Sequence, residues 1–380
     1  MTGFDFATTE RIIFGVGRIA ELGKHCARLG SPVLVLTGRE RGQHRRIFDA
    51  LSPLPFVHLE HSGEPCVEDA RRLCNEARAL RIASVVAVGG GSVLDLGKAI
   101  AALLPNPGDV LDYLEVIGAG RPLEKPSLPL IAVPTTAGTG SEVTRNAVLR
   151  SRAHGVKASM RSESMLPKLA LVDPELCLEL PPALTASTGL DAITQLIEAF
   201  VTPAANPLTD ALVKEALPQA LTAVVRAVRQ GSDIEARSQM CLASLCGGLA
   251  LANAKLGAVH GMAAPIGGLV DAPHGAVCAI LLPLVCELNL RALRQRSPQH
   301  PSLARYEALA RVCALESAEQ LVQRLQSLVE ELGIPPLASY GLSVEDRSVL
   351  VQASQAASSM KGNPLPLSDA ELMEILERAW

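Results

Sequence analysis

A carboxylate, an amide and two imidazoles occur in the second half of the chain at spacings that could bring them together. Asp191 and Gln195 are four residues apart, so a helix would present both on one face. His260 and His274 follow in a stretch rich in glycine and proline, where side chains can converge. Imidazoles and carboxylates are ligands of iron, zinc and manganese. The residues therefore predict a metal site, in which the Gln195 amide occupies a position better suited to histidine.

Three consecutive glycines, Gly89, Gly90 and Gly91, follow an apolar run and precede a segment with helical spacing. Glycine lets the backbone come close to a pyrophosphate, and a helix N-terminus supplies N–H donors and positive potential. Ser92 and Asp95 fall in the first turn, where Asp95 could cap the helix or orient its donors. A tight strand-to-helix turn also needs glycine, so this loop alone leaves phosphate binding and a purely structural turn both open.

A second loop, residues 134–144, carries more hydroxyl groups than a turn requires. It contains four threonines, one serine and two glycines. Thr135, Thr136 and Thr139 could hydrogen-bond phosphate, ribose or carboxamide, although a hydroxyl-capped loop is the alternative. Ligands of α/β sheets bind at the carboxyl ends of strands. Two such loops after predicted strands therefore indicate a dinucleotide site.

Both loops must be positioned by the secondary structure around them. In the first half of the chain, short apolar runs typical of strands alternate with patterns typical of helices. This alternation is typical of a parallel sheet with helices on both faces. The predicted strands are residues 31–37, 56–60, 83–88 and 128–134. After Pro181-Pro182 the chain is rich in alanine and leucine, and helical patterns cover residues 208–229, 233–252 and 301–332. We expect an α/β nucleotide-binding domain at residues 1–180 and an all-helical domain at residues 181–380.

Composition argues against several classes of protein. The 380 residues have a formal net charge of −4 with acids and bases interspersed, so we expect no nucleic-acid or anionic-membrane partner. The N-terminus lacks a basic region followed by an apolar run, and no segment is read as long enough to span a membrane. The nine cysteines include no Cys-x-x-Cys pair. We interpret them mainly as small apolar fillers in a reducing cytoplasm.

Five motifs occur in an order that resembles the iron-containing (group III) alcohol dehydrogenase family. They are Ala87-Val-Gly-Gly-Gly-Ser, Pro134-Thr-Thr-Ala-Gly-Thr-Gly-Ser-Glu-Val-Thr, Gly189-Leu-Asp-Ala, His260-Gly-Met and Pro273-His-Gly-Ala. Gly362-Asn-Pro extends the match towards the C-terminus. The members that look most similar reduce lactaldehyde or oxidise small diols. The resemblance implies an N-terminal nucleotide-binding α/β domain, a C-terminal helical domain, an active site in the cleft between them, and a homodimer.

Residue roles carry over from the family by motif. The cofactor positions fall on Gly89, Gly90, Gly91, Ser92, Asp95, Thr135, Thr136, Thr139, Asn146 and Lys157, of which Lys157 resembles a lysine placed against the nicotinamide ribose. The metal positions fall on Asp191, Gln195, His260 and His274, where family members typically show one Asp and three His. Gln195 therefore departs from the pattern, as does Ala264, because several relatives have a histidine there that assists proton transfer. Glu198, further along the Asp191 face, is interpreted as structural.

The end of the first predicted strand bears on the choice between NAD and NADP. NAD specificity usually requires an acidic residue near this point, whereas a 2′-phosphate favours a small residue and a nearby arginine. Similar relatives carry an Asp where this chain has Gly38. Gly38 followed by Arg39 and Arg41 favours NADP, while an arginine-bearing helix N-terminus is the alternative.

The function predicted from these residues is hydride transfer between NAD(P) and a small primary alcohol or aldehyde. Asp191, His260 and His274 would hold Fe²⁺, Zn²⁺ or Mn²⁺ as a Lewis acid on the substrate oxygen. Three alternatives remain open. They are a metal-independent reductase of an acidic keto substrate similar to maleylacetate reductase, a lyase of the dehydroquinate synthase architecture, and a nucleotide-binding relative without activity.

Overall fold

The structure, a computed structural model, describes residues 3–39 and 41–380, with the side chains of residues 41–44 outside that description. The chain forms two compact units. One comprises Ala7–Glu179, and the other comprises Leu180–Trp380 together with the start of the chain up to Phe6.

The described residues of the first unit contain eight strands. They are β1 (Ile12–Phe14), β2 (Val33–Thr37), β3 (Phe56–Glu60), β4 (Ser84–Gly89), β5 (Leu130–Pro134), β6 (Asn146–Ser151), β7 (Val156–Arg161) and β8 (Leu169–Val172). Six of them form a parallel sheet in the order β1-β8-β5-β4-β2-β3, and β6 and β7 form a separate antiparallel pair. The parallel sheet confirms the predicted α/β fold class.

The helices of this unit pack on both faces of the parallel sheet. They are α1 (Leu22–Leu29), α2 (Arg41–Leu51), α3 (Val67–Arg78), α4 (Gly91–Leu103) and the short α5 (Val110–Tyr113). Leu34 and Leu36 of β2 are buried in a core shared with α3 and α4. Val33 and Val35 of the same strand point to the opposite face, where they join a core shared with α1 and α2. The strand is therefore buried on both sides, which explains its continuous apolar sequence.

The four strands predicted from apolar runs correspond to β2, β3, β4 and β5. The apolar runs do not predict β1 and β8, which have only three and four residues. Strand β8 pairs with β5 over two residues and with β1 over three. A run this short is not distinguishable from a loop by periodicity.

The second unit is helical. Its helices are α6 (Pro182–Val201), α7 (Pro207–Arg229), α8 (Ile234–Asn253), α9 (Ala258–Leu269), α10 (His274–Arg296), α11 (Pro301–Val312), α12 (Ala318–Glu331), α13 (Asp346–Ala356) and α14 (Asp369–Arg378). The pattern over residues 301–332 is interrupted between α11 and α12. Ala314 adopts a positive φ of 57° there, and the Ser317 side chain accepts a hydrogen bond from the Gln320 N–H to begin α12.

Helix α10 differs from the expectation that no segment is long and apolar enough to span a membrane. Among the described residues it alone is, as a single helix, long and apolar enough to cross a membrane, with a mean hydropathy of 1.8. However, 89% of this stretch is buried inside the protein. Its length and composition therefore agree with a central core helix, packed against α6, α9 and α12.

Candidate functional site

Four potential metal ligands converge in the helical unit. The Asp191 carboxylate, the His260 and His274 imidazoles and the Cys278 thiol offer ligand atoms that all lie within 4.8 Å of one another. Three helices supply them: α6 carries Asp191, the first turn of α9 carries His260, and α10 carries the other two. The structure therefore brings together three of the four residues predicted from the sequence as metal ligands, and Cys278 rather than Gln195 completes the set. We refer to these four residues as the ligand cluster.

A buried carboxylate holds His260 in place. The Nδ1 atom of His260 lies 2.6 Å from Glu198 Oε2, and Glu198 Oε1 accepts the Val259 N–H at 2.7 Å. A carboxylate can only accept, so Nδ1 carries the proton and the Nε2 lone pair is left to face the cluster. Glu198 is therefore a positioning residue for an imidazole, a more specific role than the structural one expected from the sequence.

The burial of the Asp191 carboxylate and its distances to the two imidazoles show whether the cluster suits a metal ion. Asp191 is 2% exposed, yet in the described part of the chain its Oδ1 accepts no hydrogen bond. This oxygen lies 3.5 Å from His260 Nε2 and 3.9 Å from His274 Nε2. Ligand atoms at about 2.0–2.3 Å from one zinc ion are about 3–4 Å from each other, so the spacing fits a shared cation. A cation would also satisfy an oxygen that is costly to leave buried without a partner.

The charges of the cluster are strongly coupled. Burial alone would raise the pKa of Asp191, but the His260 and His274 imidazoles outweigh it and lower that pKa. Burial alone would lower the pKa of His260, but the neighbouring Cys278, Glu198 and Asp191 side chains raise it well above its ordinary value. Cys278 also raises the pKa of His274. Because a histidine must be deprotonated at its ligand nitrogen to bind a metal, a cation at the cluster would compete with protons for the two imidazoles.

Gln195 orients the Asp191 carboxylate. Its Nε2 lies 3.3 Å from Asp191 Oδ2, and an amide beside an ionised carboxylate donates through its nitrogen. The Gln195 Oε1 is directed towards α8, where it lies 2.9 Å from the position that a Cβ would occupy at Gly247. Glycine at this position therefore makes room for the amide, which engages one carboxylate oxygen and leaves the other facing the imidazoles.

Cys278 was grouped with the apolar fillers in the sequence analysis, and the structure gives it a different environment. Its Sγ lies 3.6 Å from His274 Nε2 and 4.0 Å from His260 Nε2. Cys278 and His274 are four residues apart on α10, which is the spacing that identified Asp191 and Gln195 as neighbours. The His-x-x-x-Cys spacing is thus a usable signal in the sequence, but eight other cysteines without ligand spacing obscure it.

A glycine keeps α10 close to α6 beside the cluster. A Cβ at Gly275 would lie 2.3 Å from the backbone oxygen of Ser187 and 3.3 Å from the Cβ of Asp191. Any side chain at this position would push the two helices apart. Gly275 therefore sets the distance between Asp191 and the neighbouring His274.

The C-terminal segment holds the first turn of α9, which carries the His260 ligand. Asn363 Oδ1 accepts the Ala258 N–H at 3.1 Å, and Asn363 Nδ2 donates to Asn289 Oδ1 at 2.7 Å. A Cβ at Gly362 would lie only 2.0 Å from a backbone oxygen just before α9. The Gly-Asn pair noted in the sequence thus ties the end of the chain to the helix start.

In the α/β unit, the glycine loop lies at the carboxyl end of β4. Gly89 ends the strand, and Gly90 is the N-cap of α4, with no side chain to cap the helix. A Cβ at Gly90 would lie 3.1 Å from Thr136 Cγ2, and a Cβ at Gly91 would lie 2.6 Å from Thr139 Cγ2. The glycines therefore allow the threonine-rich loop to meet a helix N-terminus, an environment that favours an anionic group such as a pyrophosphate.

The predicted cofactor positions share one edge of the sheet. Gly89 of β4 is paired in register with Pro134 of β5, which the threonine-rich loop follows. Thr37 of β2, which precedes Gly38, is paired with Val88 of β4. Three neighbouring strands thus end beside the predicted dinucleotide loops, as the rule for ligands of parallel sheets requires.

Asp95 connects α4 to the threonine-rich loop and to β6. Its Oδ1 accepts the Ser141 hydroxyl at 2.5 Å and lies 3.0 Å from Lys98 Nζ, while its Oδ2 accepts the Val148 N–H at 2.9 Å. Lys98 is fully buried and also donates to Thr144 Oγ1 at 2.8 Å. The Asp95 side chain therefore holds the loop, together with a lysine that the sequence analysis did not identify.

Two further predicted cofactor residues lie on the antiparallel pair. Asn146 begins β6, and Lys157 on β7 forms an ion pair with Glu64 at 2.8 Å. The Lys157 side chain is largely buried, so this pair fixes the position of its charge. At the end of β2, Arg39 is exposed, and the side chain of Arg41 lies outside the described residues.

The buried Glu142 in the threonine-rich loop gives the protein a pH-dependent stability. Burial raises the pKa of Glu142 from 4.5 to about 7, against the lowering effect of the Lys98 charge. A carboxyl with a raised pKa in the folded state stabilises the protein below its unfolded pKa, and this contribution is lost as the pH rises from about 4.5 to about 7. The loss amounts to about 3 kcal/mol.

We expect Glu142→Gln to remove this pH dependence. The free energy of unfolding of the variant, relative to the native protein, should rise by about 2–3 kcal/mol between pH 5 and pH 8. Chemical unfolding at the two pH values measures the difference. Glu163→Gln is the control, because that side chain is 87% exposed and its replacement should change nothing. An equal effect of Glu142→Gln at both pH values would contradict the assignment.

Both halves of the chain match models of one protein family. Residues 9–174 match the model described as iron-containing alcohol dehydrogenase, and residues 185–380 match the C-terminal model of the Fe-containing alcohol dehydrogenase family. Among curated proteins, a 1,3-propanediol dehydrogenase from Klebsiella pneumoniae is 33% identical over 99% of each chain. A 4-hydroxybutyrate dehydrogenase from Cupriavidus necator is 34% identical over 96% of each chain.

Solved structures agree with these sequence matches. The crystal structure of a 1,3-propanediol oxidoreductase superposes with a TM-score of 0.90 at 32% identity, covering all of both chains. A sulfoacetaldehyde reductase from Bifidobacterium kashiwanohense, solved in complex with NAD⁺, superposes with a TM-score of 0.90 at 30% identity, covering 99% of this chain and 98% of that one.

Proposed function

Because the chain belongs to the iron-containing alcohol dehydrogenase family, we propose that it reduces small aldehydes to primary alcohols with NADPH and one bound divalent metal ion. It is an NAD(P)-dependent alcohol dehydrogenase or aldehyde reductase. A hydride moves from C4 of the nicotinamide to the carbonyl carbon, and a proton from water completes the alcohol. The observation that carries the metal-assisted form of the reaction is the ligand cluster of Asp191, His260, His274 and Cys278.

In the helical unit, some residues would bind the metal directly and others would orient these ligands. Asp191 Oδ1 and the Nε2 atoms of His260 and His274 would be ligands, and Glu198 keeps the His260 proton on Nδ1. When bound, the ion acts as a Lewis acid that polarises the substrate oxygen. Asp191 and His260 are almost fully buried, whereas the His274 side chain is 33% exposed, so a small substrate would approach from the His274 side. Ala264 carries no group that exchanges protons.

The α/β unit would bind the dinucleotide. The N-terminus of α4 at Gly90 and Gly91 would receive the pyrophosphate, and the hydroxyls of Thr135, Thr136 and Thr139 would contact phosphate, ribose or carboxamide. The preference for NAD or NADP would be set by the residues that follow β2. Among the described atoms, a Cβ at Gly38 would meet none within 4 Å, and a small residue at this position is what a 2′-phosphate favours.

We expect Gly38→Asp to shift the cofactor preference from NADPH towards NADH. A carboxylate accepts a hydrogen bond from a ribose 2′-hydroxyl but repels a 2′-phosphate, so kcat/KM for NADPH should fall by at least about tenfold. Steady-state kinetics with both cofactors measures the ratio. Gly38→Ala is the matched control, since it adds the Cβ without the charge. If the native enzyme already prefers NADH, the NADP proposal is wrong while the reaction class stands.

The first test of the function combines metal analysis with a substrate panel. Purified protein should contain or bind about one divalent ion per chain and should reduce short aldehydes with NADPH. Turnover of acidic keto compounds alone, without metal, would instead indicate a reductase similar to maleylacetate reductase. Cofactor binding without turnover of any aldehyde would indicate a relative that has lost activity.

We also propose that the enzyme is a cytoplasmic homodimer. The nine cysteines are free thiols, eight of them buried, as suits a reducing compartment. Light scattering coupled to gel filtration would measure the mass in solution, and a mass of one chain, 40.0 kDa, would contradict the dimer.

A further inference from the structure

The ligand cluster differs in composition from the one Asp and three His implied by the family resemblance. The position of the third histidine is taken by Gln195, whose nitrogen contacts Asp191 Oδ2 and whose oxygen is directed towards Gly247 on α8. A neutral amide oxygen is also a weaker ligand than an imidazole for zinc or iron. Asp191, His260 and His274 alone are three donors. A fourth strong donor is therefore required if the cluster is to bind a metal as tightly as a site with one Asp and three His.

Cys278 is placed to be that donor. Its Sγ lies 3.6 Å from His274 Nε2 and 4.0 Å from His260 Nε2, and it belongs to the set of ligand atoms that are within 4.8 Å of one another. The side chain is fully buried, so the thiol has no access to bulk water. It is also one helical turn beyond His274 on the same face of α10, which is a spacing that allows two residues to bind one ion.

A second observation points to a ligand role for this group. Asp191 Oδ1 is buried and accepts no hydrogen bond among the described residues, although two imidazoles and the thiol surround it. A carboxylate, two imidazoles and a thiolate together form a donor set of two nitrogens, one oxygen and one sulfur. Zinc binds all three donor types, and a sulfur ligand favours zinc and cobalt over the harder ions of magnesium and manganese.

We propose that the Cys278 thiolate is the fourth protein ligand of the metal, replacing the histidine that is absent at position 195, and that it makes the site selective for zinc over iron. The proposal rests on the proposed function only in requiring that a divalent ion binds at the cluster. On binding, the Cys278 thiol releases its proton to solvent and the sulfur donates an electron pair to the ion. Gln195 then acts as a positioning residue for Asp191.

Cobalt provides a direct spectroscopic test, because a thiolate bound to Co²⁺ gives a ligand-to-metal charge-transfer band in the near ultraviolet. The full-length protein is freed of metal with a chelator and titrated with Co²⁺ without oxygen. We expect this band together with the weaker visible bands of bound cobalt. Cys278→Ser should lose the charge-transfer band, whereas Cys286→Ser should keep it. Cys286 is a suitable control because it is equally buried on the same helix but contacts Tyr306 instead of the cluster.

Competition between metals tests the selectivity. Zinc binds most nitrogen and oxygen sites more tightly than Fe²⁺, so the informative quantity is the change in the Zn²⁺/Fe²⁺ ratio rather than the ratio itself. Cys278→Ser should lower zinc affinity by more than the roughly 10- to 100-fold that loss of an outer-shell partner costs. Iron affinity should fall less, because iron depends less on sulfur. The double variant Cys278→Ser/Gln195→His should recover iron affinity.

The possible failures are distinguishable. Visible cobalt bands without a charge-transfer band in the native protein would overturn the role of Cys278 and leave the proposed metal enzyme intact. Failure to bind any divalent ion would overturn both. If Cys278→Ser does not fold, X-ray absorption spectroscopy of the native zinc-bound protein still decides the matter: a sulfur neighbour at about 2.3 Å from the zinc is expected, and a ligand shell of nitrogen and oxygen alone would overturn the proposal.

Discussion

Replacing Gly275 with alanine should disrupt the ligand cluster and destabilise the helical unit. The added Cβ would lie 2.3 Å from the Ser187 backbone oxygen, which has no rotamer through which to move away. Overpacking of this kind typically costs 1–3 kcal/mol, and we expect about 3 kcal/mol here. Because the same Cβ would approach Asp191 within 3.3 Å, relief of the clash would move α10, and with it His274, away from α6.

The result is informative because helix propensity acts in the opposite direction. Alanine is favoured over glycine in helices, by about 1 kcal/mol in the interior and by less in a first turn such as that of Gly275, so a loss of stability must come from the contact with α6. Thermal unfolding and metal titration of the same preparations measure the two effects, and we expect zinc affinity to fall at least about 100-fold. Gly38→Ala, whose new atom would meet no described atom within 4 Å and lies in the other unit, should change neither quantity. Full metal affinity in Gly275→Ala would mean that the cluster tolerates a shift of α10.

The second large effect is expected at Glu198. Its carboxylate fixes the His260 proton on Nδ1 through a 2.6 Å hydrogen bond and also accepts the Val259 N–H. Glu198→Gln keeps the shape but removes the charge and allows the amide nitrogen to face the ring. Metal affinity should then fall by about 10- to 100-fold, as is typical when the outer partner of a metal-bound histidine is lost.

Isothermal titration with Zn²⁺ measures this change directly. Glu215→Gln on the exposed side of α7 is the matched control, because the same chemical change there touches no ligand. A variant that folds and binds zinc as tightly as the native protein would falsify the positioning role of Glu198. It would also return this residue to the purely structural role that its sequence position suggested.

Much of the fold was predictable because its signals are local. Strand β2 is apolar at every position from Val33 to Leu36, since both faces are buried, and β4 ends at the first of three glycines that mark a strand-to-helix turn. The break between α11 and α12 is also local, but its cause is a single cap, Ser317, that does not stand out among other serines. Strands β1 and β8 have too few residues for any periodicity, and only their pairing across the sheet defines them.

The candidate site was predictable where spacing within one element reveals it and where the family motifs mark it. Asp191 and Gln195 are a helical turn apart, and both histidines lie in matched motifs. The roles of Glu198 and Cys278 were not predicted from the sequence, for different reasons. The partner of Glu198 is His260, 62 residues away, so no local pattern connects them. Cys278 has a local pattern with His274, but the chemistry of a cysteine depends on its surroundings, which the sequence does not give.

The attachment of Asn363 to the start of α9 has a consequence for the order in which the protein is made. His260 depends on a turn that is fixed by a residue 105 positions later than Ala258, close to the end of the chain. A nascent chain emerges from the ribosome N-terminus first, so the α/β unit can fold while this anchor is still unsynthesised or inside the exit tunnel. The ligand cluster can therefore be completed only after Asn363 has been synthesised and has left the exit tunnel, so metal binding at the cluster follows the folding of the α/β unit, and a chain that is cut before Asn363 would lack the turn that places His260.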